Sequence, residues 1–167
     1  MRVGTGPARG GRVLLVCGLP GAGKTTLARR LEVERGGVLL CPDDWLVALG
    51  LDPLDARPRR RFERELWRHA LRLAGRGLVV VVELGGWTRP DRRRLREEAH
   101  RAGVPIELHA LDVPFEERWR RVERRNAEPG AVVVGRDELA GFERWWQPPD
   151  DDERAAFDPA PGGGAGG

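Results

Sequence analysis

From about residue 12 to residue 146 the chain alternates short apolar runs with amphipathic stretches. VLLVC (13–17) is a continuous apolar run of strand length, and TTLARRLEVER (25–35) after it has helical spacing. VLLC (38–41) and DDWLVALG (43–50) repeat the change from strand to helix. RRRFERELWRHALRLAGRG (59–77) sets Phe62, Leu66, His69 and Leu73, with Ala70, at helical positions. LVVVVE (78–83) is β-branched without polar alternation, as in a strand covered on both faces. PDRRRLREEAHRAG (90–103) reads as a helix with Pro90 in its first turn and Gly103 past its end. PIELHALDV (105–113) predicts another strand, while PFEERWRRVERRN (114–126) and RDELAGFERWW (136–146) predict helices. Strands separated by helices pair in parallel through crossovers, with helices on both faces. The expected fold is therefore α/β, three-layered, around four or five mostly parallel strands. Residues 1–11 and the segment DPAPGGGAGG (158–167) are too poor in apolar side chains to order themselves. Residues 12–157 are left as one domain, which suits a chain of 167 residues.

Composition narrows the classes. Hydrophobic residues at 40% and charged residues at 33% suit a soluble globular protein, and a net charge of +3 is weak support for nucleic acid as a partner. No apolar run approaches the roughly 20 residues of a membrane span. MRVGTGPARGG at the start lacks the apolar core of a secretory signal, so a cytoplasmic location is expected. Cys17 and Cys41 are too few for a disulfide framework, lack zinc-type spacing and are expected in the interior. The basic residues are 28 arginines and a single lysine, Lys24.

That lysine sits in GLPGAGKTT (18–26), which fits Gly, four residues, Gly-Lys-Thr between a buried-type strand and an amphipathic helix. Gly18, Gly21, Ala22, Gly23, Lys24, Thr25 and Thr26 are thus expected to cradle the phosphates of ATP or GTP. Backbone N–H groups and the helix dipole hold the anion, Lys24 reaches the β- and γ-phosphates, and Thr25 meets Mg²⁺. An arginine fork is too wide for that enclosed position.

Asp43 and Asp44 follow the second apolar run and should emerge where strand ends face the ligand crevice. One of them can cap the next helix while the other takes the proton of an attacking hydroxyl. Glu83 ends the most apolar stretch and is placed to hold Mg²⁺ through water, or else is a solvated strand end. Trp45, Trp87 and Arg89 are candidate contacts to the phosphate acceptor, with packing the alternative for Trp87. Arg121 and Arg125, at i and i+4, are candidates to neutralise charge in transit from a closing lid, and a solvated helix face is the alternative. Arginines of 57–68 are interleaved with Glu63 and Glu65, which favours a solvated helix over a nucleic-acid patch.

GLPGAGKTTLARRL, CPDDW and LDVPFEERWRRVERRN, in that order over residues 12–127, resemble one kinase family. It contains phage polynucleotide 5′-hydroxyl kinase, chloramphenicol phosphotransferase and the zeta-toxin kinases, and is often labelled AAA-type ATP-binding. The resemblance implies Asp43 as general base with Asp44 beside it, and Arg121 and Arg125 as lid arginines on the phosphates of ATP. It further implies strand order 2-3-1-4, with AVVV (131–134) as a candidate fifth strand. Two positions depart. Leu46 stands where the polynucleotide enzyme has an arginine for its acceptor's 3′-phosphate, and Glu83 stands where relatives commonly have Asp. Trp145 and Trp146 lie beyond the match and either pack or close over the nucleotide.

The expectation is an ATP- and Mg²⁺-dependent kinase acting on a hydroxyl of a small molecule. A polynucleotide 5′-kinase is the less favoured alternative, and a nucleotide-binding accessory ATPase acting through a protein partner is another.

Overall fold

The computed structural model describes residues 10–52, 55–129 and 131–161. β1 (Arg12–Gly18), β2 (Val38–Leu40), β3 (Val79–Glu83) and β4 (Ile106–Leu111) form one parallel sheet in the order β2-β3-β1-β4. The unalternating runs of β1 and β3 take the two central places because both of their faces are covered. On one face Val13, Leu15, Val80 and Val82 pack against α3 (Ala56–Ala74) and α4 (Arg89–Arg101). On the other, Leu14, Val16 and Val81 meet Ala28 and Leu31 of α1 (Lys24–Arg35). Burial contributes about 1.5–3 kcal/mol for each Val or Leu, so these two faces make the main core.

α3 turns slightly from its expected orientation. Leu66, Trp67, Ala70 and Ala74 are its buried stripe, while His69 is exposed. Trp67 takes the inward position because its ring fills the layer and its Nε1 donates to Glu98 of α4 at 2.7 Å.

The remaining elements are α2 (Pro42–Ala48), α5 (Phe115–Asn126), α6 (Arg136–Gly141), a 3₁₀ turn at Glu143–Trp145 and α7 (Asp151–Ala155). The candidate fifth strand at 131–134 does not form. Asn126 instead occupies the backbone of Val134 from both sides, its Nδ2 donating to the carbonyl at 2.8 Å and its Oδ1 accepting the N–H at 3.1 Å. Val134 is then buried with Val122 and Leu139 against Phe115, Trp119 and Phe142, a small core between α5 and α6. Local β propensity yields here to a tertiary contact.

At the amino ends of the strands, β4 buries Glu107 against Arg12 and Arg35, each at 2.5 Å. Of the segments expected to be unordered, residues 1–9 and 162–167 lie outside the described residues. Asp158 is held to β4: its N–H donates to Ile106 at 2.9 Å and its carboxylate accepts from the N–H of Ile106 at 2.8 Å. No helix among the described residues is long and apolar enough to cross a membrane.

Residues 146–153 strap the loops that surround the carboxyl end of β1. Arg92 of α4 is wholly buried, and Glu153 of α7 pairs with it through two hydrogen bonds of 2.7 and 2.8 Å. The same guanidinium donates to the carbonyl of Gly86 at 2.9 Å, and Trp146 lies 5.7 Å from it. Gln147 fastens the loop again, its N–H to the carbonyl of Trp87 and its side chain to the N–H of Arg89, both at 2.9 Å. Breaking one partner of a buried pair leaves an uncompensated charge and costs about 3–5 kcal/mol. Glu153→Gln should therefore lower stability by about that amount in urea unfolding, and the double variant Arg92→Met/Glu153→Leu should recover much of it.

Candidate active site

The chain leaves β1 at Gly18 and winds through residues 19–23 into α1. Gly21 has φ +79°, and a Cβ there would stand 2.7 Å from the carbonyl oxygen of Arg118 and 2.9 Å from Val122. Only glycine permits both that turn and the close approach of α5. Gly23, in the left-handed region, caps α1, whose first turn carries no acidic residue. The positive end of the helix dipole is left open to an anion. Ala22 is buried below the loop, while Thr26 is exposed on the first turn of α1.

Lys24 folds back over the loop and donates from Nζ to the carbonyl of Leu19 at 3.2 Å. Burial lowers its pKa, opposed by the carboxylates of Glu83 and then Asp43. The Oγ1 of Thr25 faces both carboxylate oxygens of Glu83, at 3.0 and 3.1 Å. This follows from the register, in which Val16 of β1 lies beside Glu83 of β3. Glu83 is 8% exposed and turned to the hydroxyl rather than to solvent. Among the described residues no three His, Cys, Asp or Glu side chains gather as a metal site. Thr25 and Glu83 instead form a pair of oxygen donors that suits Mg²⁺, which is usually held by one or two protein oxygens, water and phosphate.

Asp43 and Asp44 lie in the first turn of α2, where Pro42 and the dipole stabilise acidic residues. Asp43 is paired at 2.6 Å with Arg59 of α3, and Asp44 is exposed. Trp45 is half exposed, with its ring 6.4 Å from that of Phe62. Leu46 is wholly buried and faces the interior. The cation near Asp43 comes from α3, beyond the local motif.

Trp87 donates from Nε1 to the carbonyl of Gly18 at 3.1 Å and packs on Phe142 at 5.3 Å. Arg89 pairs with Asp150 at 2.8 Å. Both belong to the wall that supports the loop. On its opposite side, Arg121 donates to the carbonyl of Ala22 at 2.9 Å and pairs with Glu117. Arg125, one turn on, is exposed and touches none of these groups.

Arg118 is absent from the expected residues, yet it is 1% exposed and donates to the carbonyls of Val113 at 3.0 Å and Pro20 at 3.3 Å, and to Glu143. Its signal was available, since Phe115, Arg118 and Val122 share one helical stripe and an arginine inside an apolar stripe is a buried arginine. Next to it a cavity of about 260 Å³ opens between Leu19, Asp112, Phe115, Arg118 and Trp146. Trp146 spans this cavity by donating to Asp112 at 2.8 Å, while Trp145 is exposed. Cys17 and Cys41 are buried beneath the site, and burial pushes their thiols up to about 11 and about 12. Neither serves as a nucleophile at neutral pH.

A parallel 2-3-1-4 sheet with a glycine loop, lysine and threonine after its first strand is the fold of P-loop kinases. Residues 13–149 match the family model described as AAA domain, and the chain belongs to that family. No curated protein sequence matches it. The gluconokinase from Sinorhizobium meliloti superposes with a TM-score of 0.64 at 18% identity, over 87% of this chain and 81% of that one. The APS kinase of Mycobacterium tuberculosis, solved with AMPPNP and APS, gives a TM-score of 0.55 at 27% identity over 69% of each chain. The Pnkp1/Rnl/Hen1 RNA repair complex gives 0.65 at 20% identity, over 93% of this chain and 49% of that one. The likeness to the first and the third is one of fold.

A lysine whose folded pKa lies below its unfolded value costs stability at every pH below the folded one, because its charge is disfavoured in the fold. The cost persists, shrinking, up to the ordinary lysine value and so applies at neutral pH. Lys24→Met should accordingly unfold at or above the temperature of the parent protein in the absence of nucleotide. Ligand at 100 times its Kd stabilises by about 2.7 kcal/mol, roughly 5–10 °C in Tm for a domain of this size. That shift with ATP and Mg²⁺ should appear in the parent and vanish in Lys24→Met, measured by thermal melts.

Proposed function

We propose that the protein is an ATP-dependent kinase that transfers the γ-phosphate to a hydroxyl of a small molecule. The observation that carries this reading is that Glu83, at the end of β3, faces the Thr25 hydroxyl beside Lys24, while Asp43, in the first turn of α2, also acts on the Lys24 ammonium. A nucleotide-binding loop alone needs the first. A second carboxylate that acts on the lysine suits an acceptor hydroxyl.

In this reading the triphosphate lies along residues 18–26 and the nucleoside occupies the cavity beside Arg118 and Trp146. Thr25 and Glu83 would hold Mg²⁺, which screens the β- and γ-phosphate oxygens when bound. Lys24 leaves the carbonyl of Leu19 for those oxygens and regains in the anion the contacts it lacks. Asp43 accepts the hydroxyl proton as the acceptor oxygen attacks the γ-phosphorus in line. The bond from that phosphorus to the β–γ bridging oxygen breaks, and ADP leaves with the electron pair. Arg121 exchanges Glu117 and the carbonyl of Ala22 for the transferring group, where positioned charge supplies most of the acceleration.

The test is ADP release from ATP and Mg²⁺ across a panel of hydroxyl-bearing metabolites, with 5′-hydroxyl oligonucleotides in the same panel. Acceptor-dependent release is expected from a small molecule. Release that no acceptor changes would favour an accessory ATPase. With the acceptor in hand, Asp43→Asn should keep the affinity for ATP and lose about 10²–10⁴-fold in transfer rate. If Asp44→Asn has that effect instead, the base is Asp44.

A further inference from the structure

The partner of Asp43 points to the chemical class of the acceptor. Arg59 leaves the first turns of α3 toward the crevice, and the carboxylates of Asp43 and Glu63 are among its partners. Its Nη1 donates to Oδ1 of Asp43 at 2.6 Å, and its Nε donates to Oε1 of Glu63 at 2.9 Å. Glu63, four residues on along the same helix, holds the stem and the Nε edge. Burial raises the pKa of Glu63 and the nearby guanidinium opposes the rise. The contact to Asp43 crosses between helices and ends on a side chain that is half exposed. Arg59 also acts on the ammonium of Lys24, so its charge reaches the place where phosphate is transferred. Beside it the rings of Trp45 and Phe62 form an aromatic edge.

This geometry suits exchange. A guanidinium fork matches any planar or tetrahedral oxyanion and binds it through two parallel N–H groups. A carboxylate engaged by that fork has one oxygen fewer to offer a hydroxyl. An acceptor carrying its own anionic group can take the place of Oδ1 on Arg59, which anchors the acceptor and turns Asp43 free toward its hydroxyl. Glu63 keeps the guanidinium aimed throughout. We infer that Arg59 is the specificity-determining residue of the acceptor site and that the acceptor is an anionic small molecule, bearing a carboxylate, phosphate or sulfate group as well as the hydroxyl. This rests on the kinase reading above and adds to it the charge of the substrate.

Two measurements test it. The first needs no turnover: inorganic sulfate is titrated by calorimetry into protein whose phosphate loop is already saturated with AMPPNP and Mg²⁺. Saturable binding in the parent, weakened at least tenfold in Arg59→Gln and partly restored in Arg59→Lys, is expected. Equal binding by parent and Arg59→Gln overturns the inference, whereas failure of AMPPNP to saturate the loop overturns the kinase reading itself.

The second compares acceptors that differ only by a carboxylate in place of a hydroxymethyl group, gluconate against sorbitol and glycerate against glycerol, together with the acceptor found in the panel. Preference for the anionic member, with a KM at least tenfold higher in Arg59→Gln and kcat within about threefold, is expected. A neutral acceptor used equally well, or a fall in kcat at unchanged KM, overturns it and leaves Arg59 as a residue that only positions Asp43. Thermal melts of both variants show that each is folded.

Discussion

The crevice depends on the parallel register of β1 and β3. Because Val16 lies beside Glu83, the first turn of α1 and the last residue of β3 arrive together, and the hydroxyl of Thr25 meets both carboxylate oxygens. A slip of one residue would turn the carboxylate to the other face of the sheet. The same register stations Glu83 where it counters the burial of Lys24, whose charge the loop alone would support poorly. Lys24 is thus held where burial disfavours its charge.

Loops, which bring the remaining side chains, would be free to drift without the residues that tie them. Arg92 performs that service for the segment after β3, joining Gly86, Trp87 and Glu153 through a single planar group. Arg118 does the same on the other side, where one guanidinium reaches Pro20 in the glycine-rich loop, Val113 just after β4 and Glu143 after α6. Arginine suits this task because its five donors lie in one plane and its charge is weakly hydrated. Its abundance in the chain disguises the division of labour: most of the guanidinium groups on α4 are exposed, and Arg92 between them is not.

Spacing separates the two kinds. Arg59 stands three and seven residues before Phe62 and Leu66, and Arg92 stands likewise before Leu95 and Ala99, while Arg118 falls between Phe115 and Val122. Each occupies the apolar stripe of its own helix, and such an arginine must be buried or turned toward a site. Arg121 and Arg125 share a face by the same rule. Only Arg121 reaches the loop, since α5 carries Arg125 past it into solvent.

The order of elements along the sheet, the central strands and the glycine-rich turn after β1 were determined by the sequence alone. They rest on interactions between near neighbours or on burial patterns that repeat along the chain, and both are written locally. The stretch 131–134 has the local pattern of a strand and is not one, because a side chain eight residues earlier competes for its backbone. The choice between Arg121 and Arg125, the closure of Trp146 over Asp112 and the meeting of Asp43 with Arg59 were decided by the tertiary structure. Those contacts join segments whose separation the packing of helices on the sheet sets, and no periodicity within one segment encodes its distance from another.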